Sequence, residues 1–167
     1  MGKTAKTSGP GPTTAATVAL TRAGISFTAH AYRHDDAVTE FGDEAAQALG
    51  IEAKRVFKTL MVETDAGLAI GIVSVADMLD LKALASAVGA KRASMADKAV
   101  AERKSGYVVG GISPFGQKTR LATVLDDRAA GFATIYVSGG RRGFDIEVTP
   151  GDLVALTGAV VAPIRRS

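Results

Sequence analysis

The chain has no cysteine. Disulfides, thiolate metal sites and a cysteine nucleophile are therefore excluded, and a reducing, cytoplasmic location is expected. No apolar run approaches the roughly 18 residues that mark a membrane-spanning helix. The N-terminal residues lack the apolar segment of a secretory signal, so no membrane association is expected. Histidine is scarce. His30 and His34 stand four apart in a strand-to-loop region with no third ligand in view, so neither a metal site nor a cofactor is expected. His34 and Asp35 could join a remote serine in a triad, but no nucleophile elbow is present. Walker and Rossmann glycine patterns are also missing. The chain thus offers no obvious protein nucleophile.

Net charge is low as well, at +3. A stand-alone RNA binder usually carries a stronger basic footprint. Weak or partner-assisted contact with a polyanion remains open. Arg141, Arg142, Arg165 and Arg166 concentrate basic charge towards the C-terminal part.

What is present suits one globular domain. The 167 residues are 47% hydrophobic, enough for a real core. Residues 1–12, rich in Gly, Pro, Ser and Lys, read as a disordered leader, and residues 13–167 as the domain. Apolar spacing predicts helices over 13–23, 43–49, 81–88 and about 96–104. Alternation predicts strands over 25–33, 55–63, 68–75, 132–138 and 144–148, with a short one at 107–109. The strand at 68–75 is apolar on both faces and is expected to be central. Thr149, Pro150 and Asp152 occupy the N-cap, N1 and N3 positions of a last helix. Strands and helices mix without strict alternation, which indicates an α/β (α+β) class with a mixed, curved sheet and helices outside.

Three places could carry chemistry. Lys58 falls in a row with Val56, Leu60 and Val62 on one strand. It fits either a snorkelling lysine or a fixed cation facing a phosphate or carbonyl oxygen. Val109-Gly110-Gly111-Ile112-Ser113-Pro114 fits a plain turn, or backbone amides aimed at a carbonyl whose negative charge grows. Ser138-Gly139-Gly140-Arg141-Arg142-Gly143 fits a hairpin loop with solvated charges, or a contact for phosphate or an RNA end. Asp145 and Glu147 share the face opposite Phe144, Ile146 and Val148. Glu147 suits solvent, and Asp145 an amine or a ribose hydroxyl.

Ordered motifs add a resemblance. His34-Asp35, Phe41 to Ala46, Val56-Phe57-Lys58-Thr59-Leu60, Leu79 to Lys82, Met95-Ala96-Asp97, Ser105 to Pro114, Gly116-Gln117-Lys118 and Ile135 to Gly140 follow one another. Over residues 13–160 the chain resembles the YbaK family of cysteinyl-tRNA(Pro) deacylases. The resemblance implies a mixed sheet closing toward a barrel, surrounded by helices, with a central substrate pocket. It implies removal of cysteine that prolyl-tRNA synthetase has mis-attached to tRNA(Pro), since a pocket rejects near-isosteres poorly. The partners implied are the aminoacyl-tRNA acceptor end and prolyl-tRNA synthetase.

By the same resemblance, the cysteine thiol attacks its own ester, so the protein supplies only positioning and charge stabilisation. Lys58 would hold the tRNA end with Thr59 beside it, and the Gly110 amide, with Gly111 next to it, would polarise the carbonyl. Tyr32, Phe41, Ser138 and Asp145 would line the pocket. On charge grounds, Arg141 and Arg142 would touch the acceptor stem. Asp36 stands where the family usually has proline. Rival expectations are editing of another misacylated tRNA, such as Ala-tRNA, and a non-catalytic tRNA- or synthetase-binding module.

Overall fold

A computed structural model describes residues 5–7 and 11–166. In chain order the strands are β1 (Ala5–Thr7), β2 (Thr28–Ala31), β3 (Phe57–Thr64), β4 (Gly67–Ser74), β5 (Met78–Leu79), β6 (Ala93–Met95), β7 (Ala122–Asp126), β8 (Ile135–Arg141), β9 (Phe144–Val148), β10 (Val160–Ala162) and β11 (Arg165–Arg166). The helices are α1 (Ala15–Arg22), α2 (Phe41–Leu49), α3 (Leu81–Ala87), α4 (Lys98–Ser105) and α5 (Pro150–Thr157). Of the leader expected over 1–12, residues 1–4 and 8–10 lie outside the described residues, while β1 pairs antiparallel with β2.

The sheet is mixed, as expected, but it is divided. One antiparallel sheet has the order β1-β2-β9-β8, a second the order β10-β7-β4-β3-β6, and a third joins β11 to β5. In the second sheet β4 pairs antiparallel with β3 and parallel with β7. No closed barrel is seen among the described residues, which corrects the barrel-like expectation. An isolated parallel bridge from Val56 to Tyr136 joins the two larger sheets.

Local chemistry accounts for most boundaries. Asp65 and Ala66 turn β3 into β4, with the Thr64 hydroxyl accepting the Ala66 amide and Gly67 at a φ of 112°. The Thr149 hydroxyl accepts the Asp152 amide, Pro150 opens α5, and left-handed Gly158 ends it. β4 is buried on both faces from Ala69 to Ser74, as its composition predicts.

Two expectations fail for visible reasons. The strand expected at 107–109 is a turn, because Tyr107 is an anchor: its amide bonds the Ser105 hydroxyl and its phenol donates to the Phe115 carbonyl. The strand expected over 25–33 shortens to four residues, because the Ile25 amide turns back to the Leu20 carbonyl. β7, a central parallel strand, lies in a stretch where the sequence suggested no element.

The inner faces of the two larger sheets share one core, with Ile135, Val137, Phe144 and Ile146 from one and Phe57, Ile70, Ile72 and Leu125 from the other. The polar face of the β9 strand is not solvated, contrary to the expectation for Glu147. Its carboxylate pairs with His30 at 2.9 Å, accepts the Thr134 hydroxyl and lies 3.6 Å from Arg55. Arg55 also donates to the Thr134 carbonyl and covers the Tyr136 ring at 5.0 Å. This cluster ties the start of β3 to β8 and β9 beside the Val56–Tyr136 bridge. Arg55→Ala removes several charge-assisted bonds at once and is expected to cost about 1–3 kcal/mol, read by denaturant unfolding.

Candidate active site

From the bridge at Val56 and Tyr136, β3 and β8 run parallel and then part. Two residues further along each strand, Lys58 and Ser138 both line a cleft of about 450 Å³. Between residues 57 and 60, β3 has no backbone partner on the side away from β4 among the described residues, since the Ala96 amide bonds the Met61 carbonyl and β6 pairs from Val62 onward. That free edge forms one wall. α2, the loop around Gly110 and the β8–β9 hairpin supply the others.

Of the residues singled out in the sequence, Tyr32, Phe41, Lys58, Thr59, Gly110, Ser138 and Asp145 all line this cleft. Lys58 is half-buried, and its ammonium makes no hydrogen bond or ion pair among the described residues. The Thr59 hydroxyl oxygen is buried and has no hydrogen-bond partner. Asp145 is 6% exposed, and burial pushes its carboxyl up to about 7. The Tyr32 phenol is also pushed upward, first by burial and then by the charges of Asp145 and Glu44. The Ser138 hydroxyl accepts the Gly140 amide at 3.1 Å.

The Gly110 loop is held from both flanks. Glu102 on α4 accepts the Val109 amide at 2.8 Å, and the Arg142 guanidinium donates to the Val109 carbonyl at 2.8 Å. The Gly110 amide makes no hydrogen bond among the described residues, so a donor at the cleft wall stays available. Gly110 has a φ of +91°, and a Cβ there would lie 2.8 Å from the Phe41 ring. Only glycine permits this backbone path.

Three expected contacts sit differently. Gly111 does not line the cleft: its amide bonds the Val108 carbonyl, and a Cβ on it would meet the Arg141 backbone at 2.7 Å. It is a packing glycine that lets the hairpin approach the loop. Arg142 is spent within the molecule, on the Val109 carbonyl and over the Phe41 ring at 4.7 Å. Arg141 alone of the pair is exposed without a side-chain partner among the described residues. The Gly139-Gly140 pair is a bulge in β8, where Phe144 packs against one glycine and Thr14 and Tyr107 against the other, not an open phosphate loop. Both histidines are paired with carboxylates, His30 with Glu147 and His34 with Glu44. Sequence reasoning missed Lys98, the exposed first residue of α4, which also lines the cleft. Its place next to the Met95-Ala96-Asp97 motif was the available signal.

Residues 36–156 match the aminoacyl-tRNA editing domain model. The chain belongs to the aminoacyl-tRNA editing domain family. It is 38% identical over 123 residues to "Putative Cys-tRNA(Pro)/Cys-tRNA(Cys) deacylase EbsC" of Enterococcus faecalis, covering 73% of this chain and 75% of that protein. Among solved structures, it resembles "a putative trans-editing enzyme for prolyl tRNA synthetase", with a TM-score of 0.79 and 28% identity over 93% of this chain and 99% of the other. The hypothetical protein APE2540 matches with a TM-score of 0.82 and 25% identity over 92% of this chain and all of its own, 100%. In this editing domain the unpartnered cation, the free amide and the buried carboxyl occupy one cleft.

Two outcomes follow from this geometry. Gly110→Ala is expected to fold but displace the loop, which appears as a lost deacylation rate with an unchanged circular dichroism spectrum. Asp145 has a higher pKa in the folded state than the ordinary 3.8, so the folded form keeps its proton longer. Its contribution to stability is therefore lost as pH rises from about 4 to about 7. Asp145→Asn is expected to gain on the wild type by roughly 2–4 kcal/mol between pH 4 and pH 8. Urea unfolding at both pH values reads this gap.

Proposed function

We propose that this editing domain is a trans-acting deacylase that removes cysteine from tRNA(Pro), with the cysteine thiol as nucleophile. The observation that carries the proposal is the inventory of the cleft: Lys58, the Gly110 amide and Asp145 converge there without ion-pair or hydrogen-bond partners, and no cysteine exists anywhere in the chain. The name of the Enterococcus faecalis relative supports the substrate. The likeness to the solved structure described as "a putative trans-editing enzyme for prolyl tRNA synthetase" supports that synthetase as a partner. The reaction is proposed to take place in the cytoplasm.

In this scheme Lys58 holds the tRNA end at the mouth of the cleft, and the Gly110 amide donates to the acyl carbonyl oxygen. Asp145, once ionised, accepts the α-ammonium group. Tyr32 and Phe41 enclose the aminoacyl-adenosine, and Arg141 faces the acceptor stem. The sulfur attacks the ester carbonyl carbon, a C–S bond forms and the C–O bond to ribose breaks. The thiol proton ends on the ribose oxygen, and the products are free tRNA and a cyclic thiolactone. Preorganised charge and positioning lower the barrier without a covalent enzyme intermediate.

One observation favours a second scheme. A buried carboxyl with a pKa of about 7 is poised near neutral pH to take a proton from water. With Asp145 as base, the same cleft would hydrolyse an ester whose amino acid lacks a thiol, such as alanine. Rapid hydrolysis of Ala-tRNA(Pro) that is abolished in Asp145→Asn would select this scheme.

Lys58→Ala is expected to fold as the wild type does while deacylation of Cys-tRNA(Pro) falls by about 100- to 1000-fold, the usual effect of losing one such electrostatic group. Single-turnover release of labelled cysteine measures it. Near-wild-type turnover would remove Lys58 from the reaction.

A further inference from the structure

The Gly110 loop is a β-turn, closed by the Gly111 amide on the Val108 carbonyl at 2.8 Å. Val109 and Gly110 are its central residues. Gly110 has a φ of +91°, and only glycines have a positive φ among the described residues, so the turn is of type II. Types I and II differ by a flip of about 180° in the central peptide. Here that peptide joins the Val109 carbonyl to the Gly110 amide. Glycine at this position tolerates both forms. The turn sequence by itself therefore leaves the direction of the Gly110 N–H undecided.

Arg142 supplies the missing constraint. Its Nε donates to the Val109 carbonyl at 2.8 Å, and its guanidinium is held 4.7 Å from the centre of the Phe41 ring. Val109, Gly110 and Phe41 line the cleft, whereas Arg142 does not. The carbonyl is thus drawn away from the cleft. In a planar trans peptide the N–H points opposite to the C=O, so the Gly110 N–H faces the cleft. A flipped peptide would turn its carbonyl oxygen to the cleft and lose the bond to Arg142. A cationic donor on the carbonyl also polarises the peptide, which strengthens its N–H as a donor. Glu102 has no such effect, because the Val109 amide that it accepts belongs to the preceding peptide.

We infer that Arg142 is a positioning residue, which locks the central peptide of the Gly110 turn with its N–H towards the cleft. The inference rests on the deacylase reading above, in which that N–H meets the acyl carbonyl oxygen. Arg142 acts through the peptide and touches neither the ester nor a phosphate. A phosphate contact would show as weaker, salt-dependent tRNA binding. A peptide lock shows as a slower bond-breaking step at unchanged binding.

The test compares Arg142→Gln with Arg142→Met. Glutamine Nε2 stands at the same place along the side chain as arginine Nε, so it keeps a donor without the charge. Methionine keeps the stem and has no donor. In single-turnover release of cysteine from Cys-tRNA(Pro), Arg142→Met is expected to lose about 10- to 100-fold in rate. Arg142→Gln is expected to restore most of it, to within about 5-fold of the wild type. Equal losses in both variants, a loss confined to tRNA affinity, or no loss in Arg142→Met would overturn the assignment. A readout without turnover is the Gly110 amide proton, followed by NMR while adenosine carrying cysteine through a 3′-amide is titrated in. A downfield shift is expected in the wild type and Arg142→Gln and not in Arg142→Met. If the wild type releases no cysteine while this pattern holds, the deacylase reading fails and the Arg142 lock stands. Without the shift in the wild type the lock fails, whether or not cysteine is released.

Discussion

Two strands that touch at Val56 and Tyr136 and then separate create the space in which everything else operates. A sheet edge left unpaired inside a domain is normally covered or blunted. Here the edge of β3 between residues 57 and 60 stays open among the described residues, because the β6 segment and β8 engage the strand only at its two ends. The cluster of Arg55, Thr134, Glu147, His30 and Tyr136 fixes the closed end of the wedge. The spacing of the two strands is thus set by hydrogen bonds outside the cleft, and α2 and the Gly110 loop complete its walls. Preorganisation of this kind is what the proposed substrate-assisted cleavage requires.

The polar groups of the cleft divide into spent and unspent ones. Ser138 is committed to the Gly140 amide in the β8 bulge, while Arg142 and Glu102, behind the cleft wall, bind the Val109 backbone and shape the Gly110 loop. Lys58, the Gly110 amide, Thr59 and Asp145 have no such commitments. Leaving buried groups unsatisfied lowers stability, so proteins concentrate them where a ligand will meet them. The carboxyl of Asp145 illustrates the point, since burial alone moves it to about 7.

Much of this was legible in the sequence, and the failures have local causes. Lys58 stands out because it interrupts an apolar row, and Asp145 because it opposes Phe144 and Ile146 on one strand. α5 is readable to the residue, since its capping chemistry is local. β7 escaped notice because a short apolar run flanked by charges resembles a loop until neighbouring strands bury it, with Val124 and Leu125 at 0% and 1% exposure. The glycines misled in part. Gly110 does line the cleft, yet Gly111, Gly139 and Gly140 sit where backbone and rings pack closely. A glycine pair looks the same in sequence whether it approaches a ligand or a neighbouring strand. Arg142 misled for a similar reason: charge is visible in the sequence, but its partner is not.

The most direct measurement is a crystal structure of this protein with cysteine linked to adenosine through a 3′-amide. The expected result has the acyl carbonyl oxygen within hydrogen-bond distance of the Gly110 amide and the Lys58 ammonium against the nucleotide end of the ligand. A ligand bound outside the wedge between β3 and β8, or inside it with the carbonyl turned away from Gly110, would contradict the assignment of this cleft as the place where the ester is cleaved.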